Sequence, residues 1–259
     1  MRRLAFIALA ALVAAGGLLA LLLRDDSTTP QADKPRHAHP AAAALPPVPV
    51  SGDLTYRTAA GTAEGITLRR PTRPRGLVIL VHGGGFRSGD RSGMDDWASL
   101  LKRDGYVTAT IDYRLAGPNE NNRELALTRA RDDTIAALTR LQTDPALKTL
   151  PVVVWGYSAG ALTALRVAAD DPGRVRAAVS LAGYELPATI KAGHAPMLLF
   201  NGTADRAEPV AKATATCRAA RAVGVRCDQV VYRGVTHQIT AARGQDIHRQ
   251  ALHWLASHL

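Results

Sequence analysis

Two glycine-bracketed segments and two later polar residues could together perform nucleophilic acyl chemistry. Gly156-Tyr157-Ser158-Ala159-Gly160 follows the apolar stretch Pro151 to Trp155 and opens the helical pattern Ala159 to Ala169. In that strand–turn–helix setting a serine is held on a tight turn. Side chains at the flanking glycines would clash with neighbouring elements, and the helix N-terminus offers N–H groups and a positive dipole end to developing negative charge. The plainer reading is an idle serine in a glycine-rich turn. His82-Gly83-Gly84-Gly85-Phe86 follows the apolar stretch Leu77 to Val81. Consecutive glycines let backbone N–H groups approach a ligand unhindered, so the loop can donate to an oxyanion, with the Ala159 N–H as a second arm. A phosphate cradle is the rival, but no Gly-Lys-Ser/Thr follows. His82 is expected to order the loop rather than act as a base.

A nucleophilic serine needs a base, and the base needs an orienting acid. After Ser158 the histidines are His194, His237, His248, His253 and His258. The last three fall in a C-terminal helical pattern, and His194 precedes a predicted strand, at the wrong edge of a sheet. His237, in Gly234-Val235-Thr236-His237, follows the final predicted strand. Asp205, in Asn201-Gly202-Thr203-Ala204-Asp205, follows the seventh. Ser158, Asp205 and His237 therefore emerge at the strand C-terminal edge, where α/β folds place ligands. Glu208 is the alternative acid. A capping aspartate and a surface histidine are the plainer readings.

These motifs carry a family resemblance. The chain resembles the α/β-hydrolase carboxylesterases, particularly the small acetyl-esterase and feruloyl-esterase-like branch related to hormone-sensitive lipase. The similarity rests on the HGGGF loop with Gly89-Asp90 behind it, Asp112-Tyr113-Arg114-Leu115, the GYSAG turn, and the segments ending in Asp205 and His237. It implies ester hydrolysis through an acyl-enzyme, without a cofactor or metal, and oxyanion donors at Gly84, Gly85 and Ala159. Two features depart from the lipase-like pattern. Gly117-Pro118 replaces the common Pro-Glu, and residues 183–195 are too short for a large lid. Both argue against bulky lipid substrates. An amidase, peptidase or arylformamidase of the same fold, or a catalytically silent fold used for binding, are the competing readings.

The elements that must position these residues follow from pattern. Eight strand-like stretches, Leu54–Thr58, Gly65–Arg69, Leu77–Val81, Tyr106–Ile111, Val152–Trp155, Val175–Leu181, Met197–Phe200 and Arg226–Tyr232, begin with a hairpin. They then alternate with helical patterns at Met94–Arg103, Arg123–Leu141, Ala159–Ala169, Pro209–Val223 and Gln245–His258. Short apolar strands separated by helices predict an α/β architecture, a mostly parallel eight-stranded sheet covered on both faces and without a large lid. Asp132 and Asp133 are expected to be structural or solvated, and Trp97, Trp155 and Trp254 to pack.

Before this domain, predicted over 51–259, the composition changes. Arg2 and Arg3 precede an apolar run of 20 residues, Leu4 to Leu23, long enough to cross a bilayer as a helix. Five of the six residues from Leu18 to Leu23 are Leu, and the small residues lie mid-run. Residues 1–23 therefore read as an uncleaved anchor with a cytoplasmic N-terminus and an extracytoplasmic domain; a cleaved secretion signal is the alternative. Residues 24–50, rich in Pro and Ala, read as an extended linker; His37 and His39 there are read as solvated. The 259-residue chain is 47% hydrophobic and carries a formal charge of +10, with 27 Arg and 5 Lys. Its composition excludes a disordered or polytopic membrane protein, and no nucleic-acid-binding motif accompanies the charge. The expected partners are a small ester substrate and, through the N-terminal segment, a membrane. Crowding of Arg69, Arg70, Arg73 and Arg75 reads as a solvated turn, with anionic lipid contact as the alternative.

The 2 cysteines exclude a disulfide scaffold or a four-Cys metal module. Cys217 lies in the helix before Gly224 and Cys227 at the start of the strand after it. Both are about 10 Å from the reversal, on adjacent antiparallel elements, so a disulfide is expected in an oxidising compartment. Two buried thiols are the alternative.

Overall fold

The computed structural model describes residues 45–259; the expected anchor and most of the linker lie outside them. Residues 45–50, assigned above to the linker, already lie along the domain. Val48 packs on the core, and the Pro49 carbonyl accepts from Arg70 at 3.2 Å.

The strands are β1 (Gly52–Arg57), β2 (Ala63–Arg69), β3 (Leu77–Val81), β4 (Val107–Ile111), β5 (Val152–Tyr157), β6 (Val175–Leu181), β7 (Met197–Gly202) and β8 (Cys227–Tyr232). They form one eight-stranded sheet in the order β1-β2-β4-β3-β5-β6-β7-β8. β1 and β2 form an antiparallel hairpin, β2 runs antiparallel to β4, and β4 through β8 run parallel. This is the predicted fold class.

The helices are α1 (Asp95–Arg103), α2 (Arg123–Leu141), α3 (Pro145–Lys148), α4 (Ala159–Asp170), α5 (Val210–Ala222) and α6 (Ile239–Leu255). All five residues of β3 are buried, because both sheet faces are covered. Leu77, Ile79 and Val81 face a core shared with α2, α4 and α5, whereas Val78 and Leu80 face one shared with α1 and α6. Trp97 and Trp155 meet in the second core with ring centroids 5.1 Å apart.

Two helices differ from the pattern. α3 is a single turn, too short to show periodicity. α6 starts at Ile239, well before the expected Gln245, because it continues through a kink at Arg243, where φ is −140°. Next to Gly244, that stretch reads as a break. Between β6 and β7 there is only one turn of 3-10 helix, Pro187–Thr189, so among the described residues no large lid is inserted there.

Candidate active site

Ser158 directly follows β5 and caps α4 with φ 53° and ψ −117°, a left-handed conformation costly for a residue with a Cβ. The surrounding bonds hold it there. Its N–H donates to Leu181 O at 2.9 Å, and its carbonyl accepts from Ala161 and Leu162. The turn is tight enough that a Cβ on Gly156 would lie 1.9 Å from the Gly160 carbonyl oxygen, which explains the glycine there.

His237 reaches this serine from the loop after β8, its Nε2 2.8 Å from Ser158 Oγ. Its Nδ1 is 2.8 Å from Asp205 Oδ2. An ionised carboxylate only accepts, so Nδ1 carries the proton and Nε2 is left to accept from the serine hydroxyl. Asp205 is fixed in turn, since its Oδ1 accepts from the N–H groups of Ala207 and Glu208, each at 2.9 Å. Its side chain is fully buried. The structure thus brings Ser158, His237 and Asp205 into one hydrogen-bonded chain.

Glu208 takes a different partner. Its carboxylate pairs with Arg123, and only its backbone N–H serves Asp205. Two of the other candidate histidines are engaged elsewhere: His248 Nε2 is 2.7 Å from Asp104, and His258 stacks on Trp254.

The glycine loop lies beside the serine. Gly84, Gly85 and Phe86 all have positive φ, at 109°, 62° and 65°. The loop closes on itself through the Gly84 carbonyl, which accepts from Arg87 and Ser88. Among the described residues, no acceptor takes the N–H of Gly84, Gly85 or Ala159, and Ala159 is the first residue of α4. These are the three expected oxyanion donors.

His82 is buried under this loop, stacked on Tyr113 with ring centroids 4.3 Å apart. Its Nδ1 bonds the Gly83 carbonyl, while Tyr113 Oη donates to the His82 carbonyl at 3.1 Å. Burial pushes its pKa down, partly offset by that carbonyl and by Asp112 and Asp90. A neutral, packed ring suits the expected loop-ordering role.

Several positioning residues carried no role in the sequence reading. Tyr157 Oη donates to the His237 backbone carbonyl at 3.0 Å. Asp112 accepts from the Arg91 N–H at 2.8 Å and pairs with its guanidinium, pinning the segment after the glycine loop. Asp133 is wholly buried and takes both Nε and Nη2 of Arg114, so it is structural rather than solvated. Only the Asp112-Tyr113-Arg114 string hinted at this support.

A profile of the serine aminopeptidase S33 family matches residues 72–189, which include the glycine loop and Ser158 but neither Asp205 nor His237. A Mycobacterium tuberculosis protein provisionally named a phosphoribosyl transferase is 32% identical over 227 residues; the match covers 82% of this chain but 45% of that protein. The chain thus spans about half the length of that relative. A polyketide transferase of Stachybotrys chlorohalonatus is 30% identical over 123 residues, 46% of this chain and 40% of its own. Among solved structures, Thermogutta terrifontis esterase 2 phosphonylated by cyclosarin superposes with a TM-score of 0.66 at 19% identity, covering 82% of this chain and 96% of its own. The propionate-bound form of that esterase also gives 0.66, at 18% identity, over 81% and 94% of the two chains. The chain is an α/β-hydrolase by fold. The hormone-sensitive lipase branch stays an inference from the motifs.

Proposed function

We propose that this α/β-hydrolase-fold chain is a serine carboxylesterase acting on small, short-acyl esters. The observation that carries the reading is the continuous chain Ser158–His237–Asp205, with both of its hydrogen bonds at 2.8 Å. In the proposed cycle His237 Nε2 removes the Ser158 proton as Oγ attacks the ester carbonyl. The negative charge gathers on the former carbonyl oxygen, within reach of the N–H groups of Gly84, Gly85 and Ala159. His237, now protonated and held by Asp205, gives its proton to the departing alcohol. Water then repeats the sequence on the acyl-enzyme, releasing the acid and regenerating Ser158. No cofactor enters these steps.

The short-acyl preference rests on the single-turn β6–β7 connection, and the propionate- and butyrate-bound forms of the Thermogutta esterase are consistent with it. Ser158→Ala should reduce hydrolysis of p-nitrophenyl acetate by about a millionfold and abolish labelling by a fluorophosphonate probe. Wild-type turnover in that variant would end the reading, and absence of labelling in the unmodified protein would favour a silent fold used for binding.

Amide cleavage is the second reading, favoured by the aminopeptidase profile over residues 72–189. An aminoacyl anilide hydrolysed faster than a matched acetyl ester would reverse the order.

The proposed setting is extracytoplasmic, with residues 1–23 holding the domain at a membrane or directing its secretion. The bonded pair Cys217–Cys227 supports an oxidising compartment.

A further inference from the structure

The parallel strands define two opposite edges. Ser158, Asp205 and His237 follow the C-terminal ends of β5, β7 and β8. At the other edge, five strand residues or about 17 Å away, the sheet is entered through loops rich in cations. Arg73 and Arg75 precede β3, Lys102 and Arg103 end α1, Lys148 precedes β5, and Arg176 lies at the start of β6. Backbone bonds draw these loops together: the Arg75 N–H donates to Gly105 O, and the Leu77 N–H to Pro151 O, both at 2.9 Å.

All six cations are exposed. Among the described residues, none of them has a carboxylate within 4.0 Å. Other cations of this edge are paired, Arg70 with Asp144, Arg174 with Asp171 and Arg226 with Asp228, as Arg91, Arg123, Arg129 and Arg166 are elsewhere. The six stay unpaired at this edge, and among the described residues Arg87, Arg206 and Arg233 likewise hold no carboxylate on the loops near Ser158. Helix dipoles account for part of the basic edge, since Lys102, Arg103 and Lys148 sit in last turns. Arg73, Arg75 and Arg176 have no helix end to offset. Between Lys148, Pro151, Arg174, Arg176 and Leu259 the same edge holds an open recess of about 470 Å³, wide enough for a phosphate-bearing headgroup.

The chain enters the fold at this edge. The Pro46 carbonyl accepts from Arg140 at the end of α2, and the Pro49 carbonyl from Arg70 at the end of β2. Forty-four residues precede this point, including the apolar run Leu4–Leu23. The intervening stretch can span at most about 70 Å, so a membrane-inserted run would hold the basic edge at high effective concentration near the bilayer.

We infer that the strand-N-terminal edge, with Arg73, Arg75, Lys148 and Arg176 at its centre, docks on an anionic lipid surface and turns the Ser158 edge outward. Charge complementarity and the point of chain entry select lipid over other polyanions. Each cation close to an anionic leaflet strengthens association roughly fivefold, so the face acts through the sum of several weak contacts. The inference does not depend on what Ser158 does.

Hydrogen–deuterium exchange on the full chain tests it, with the protein reconstituted in phosphatidylcholine nanodiscs with or without phosphatidylglycerol. With phosphatidylglycerol, exchange over residues 72–76, 102–106 and 148–152 should slow by about fivefold or more. The slowing should vanish in about 1 M salt, where the Debye length is about 3 Å. It should also vanish in the variant Arg73→Gln, Arg75→Gln, Lys148→Gln, Arg176→Gln. Equal exchange in the two bilayers, or protection over the triad loops 83–86 and 234–238, would overturn the proposal. Stronger protection of the same segments by a short DNA duplex than by phosphatidylglycerol would transfer the face to nucleic acid and equally overturn it. If the variant does not fold, the salt series on the unmodified chain still decides.

Discussion

Tyr157, the residue before the serine, is bonded to the histidine that contacts that serine: its phenol donates to the His237 backbone carbonyl at 3.0 Å, and the two rings lie 5.5 Å apart. The turn that presents Ser158 therefore also holds the loop that carries His237, its base in the proposed cycle. Tyr157→Phe removes one hydrogen bond of about 0.5–1.5 kcal/mol while keeping the ring. Ester turnover should fall by about three- to tenfold, with fluorophosphonate labelling retained. Unchanged kcat and KM would show that the loop needs no such tether.

Asp205 does two jobs with two oxygens. Asn at 205 can keep an oxygen toward the Ala207 and Glu208 N–H groups, but it then offers an amide N–H to His237 Nδ1 and imposes the wrong tautomer. Asp205→Asn should therefore fold normally and lose about 10⁴ in kcat, measured beside an unchanged circular dichroism spectrum.

Gly84 is needed for its shape. A Cβ there would sit 1.9 Å from the Ser88 carbonyl oxygen, at a φ of 109°. Gly84→Ala should displace the glycine loop and cost about 10²–10³ in kcat, the usual cost of an oxyanion donor. Ser158 and His237 themselves are untouched, so a near-normal rate would remove the loop from the proposed mechanism.

The disulfide lies far from the chemistry. Cys217 and Cys227, with Cα atoms 5.1 Å apart, join α5 to β8 near the basic edge. Replacing both with Ala should lower stability by about 2–3 kcal/mol in the chain-entropy view and leave kcat unchanged. Thermal unfolding of the oxidised, reduced and substituted proteins measures this.

His82 makes stability depend on pH. Burial lowers its folded pKa, so the unfolded chain binds the proton more readily. Its contribution is complete above about pH 6.5, the value for an exposed imidazole, and is lost as pH falls through that value toward the lower folded one. Burial also lowers His194, which should retain part of the slope. Asp144 and Asp228 have depressed pKa values as well; they act in a more acidic window, below about 4. Urea midpoints at pH 7 and pH 5 should differ less in His82→Gln than in the unmodified protein. An equal difference would exclude His82 as a source.

Most of the scaffold was legible because its signals are local. Two-sided burial makes β3 an unbroken apolar run, and the glycines around Ser158 and at Gly84 answer steric demands set within a few residues. Chain order and strand position were enough to select Asp205 and His237. What the sequence alone could not determine depends on distant pairing. Glu208 lies three residues from Asp205, and only packing sends its carboxylate to Arg123 rather than to His237. The bond from Tyr157 to His237 spans 80 residues of chain, and Asp133 reads as an ordinary helical aspartate until Arg114 is brought against it. α6 crosses a break that propensity alone would end, because Ile239 and Ile247 on either side are buried in the same core. The basic edge is likewise dispersed along the chain, its six cations divided among the loop before β3, the ends of α1 and α3, and the start of β6. Parallel pairing gathers them, since every crossover returns the chain to the same edge before the next strand begins.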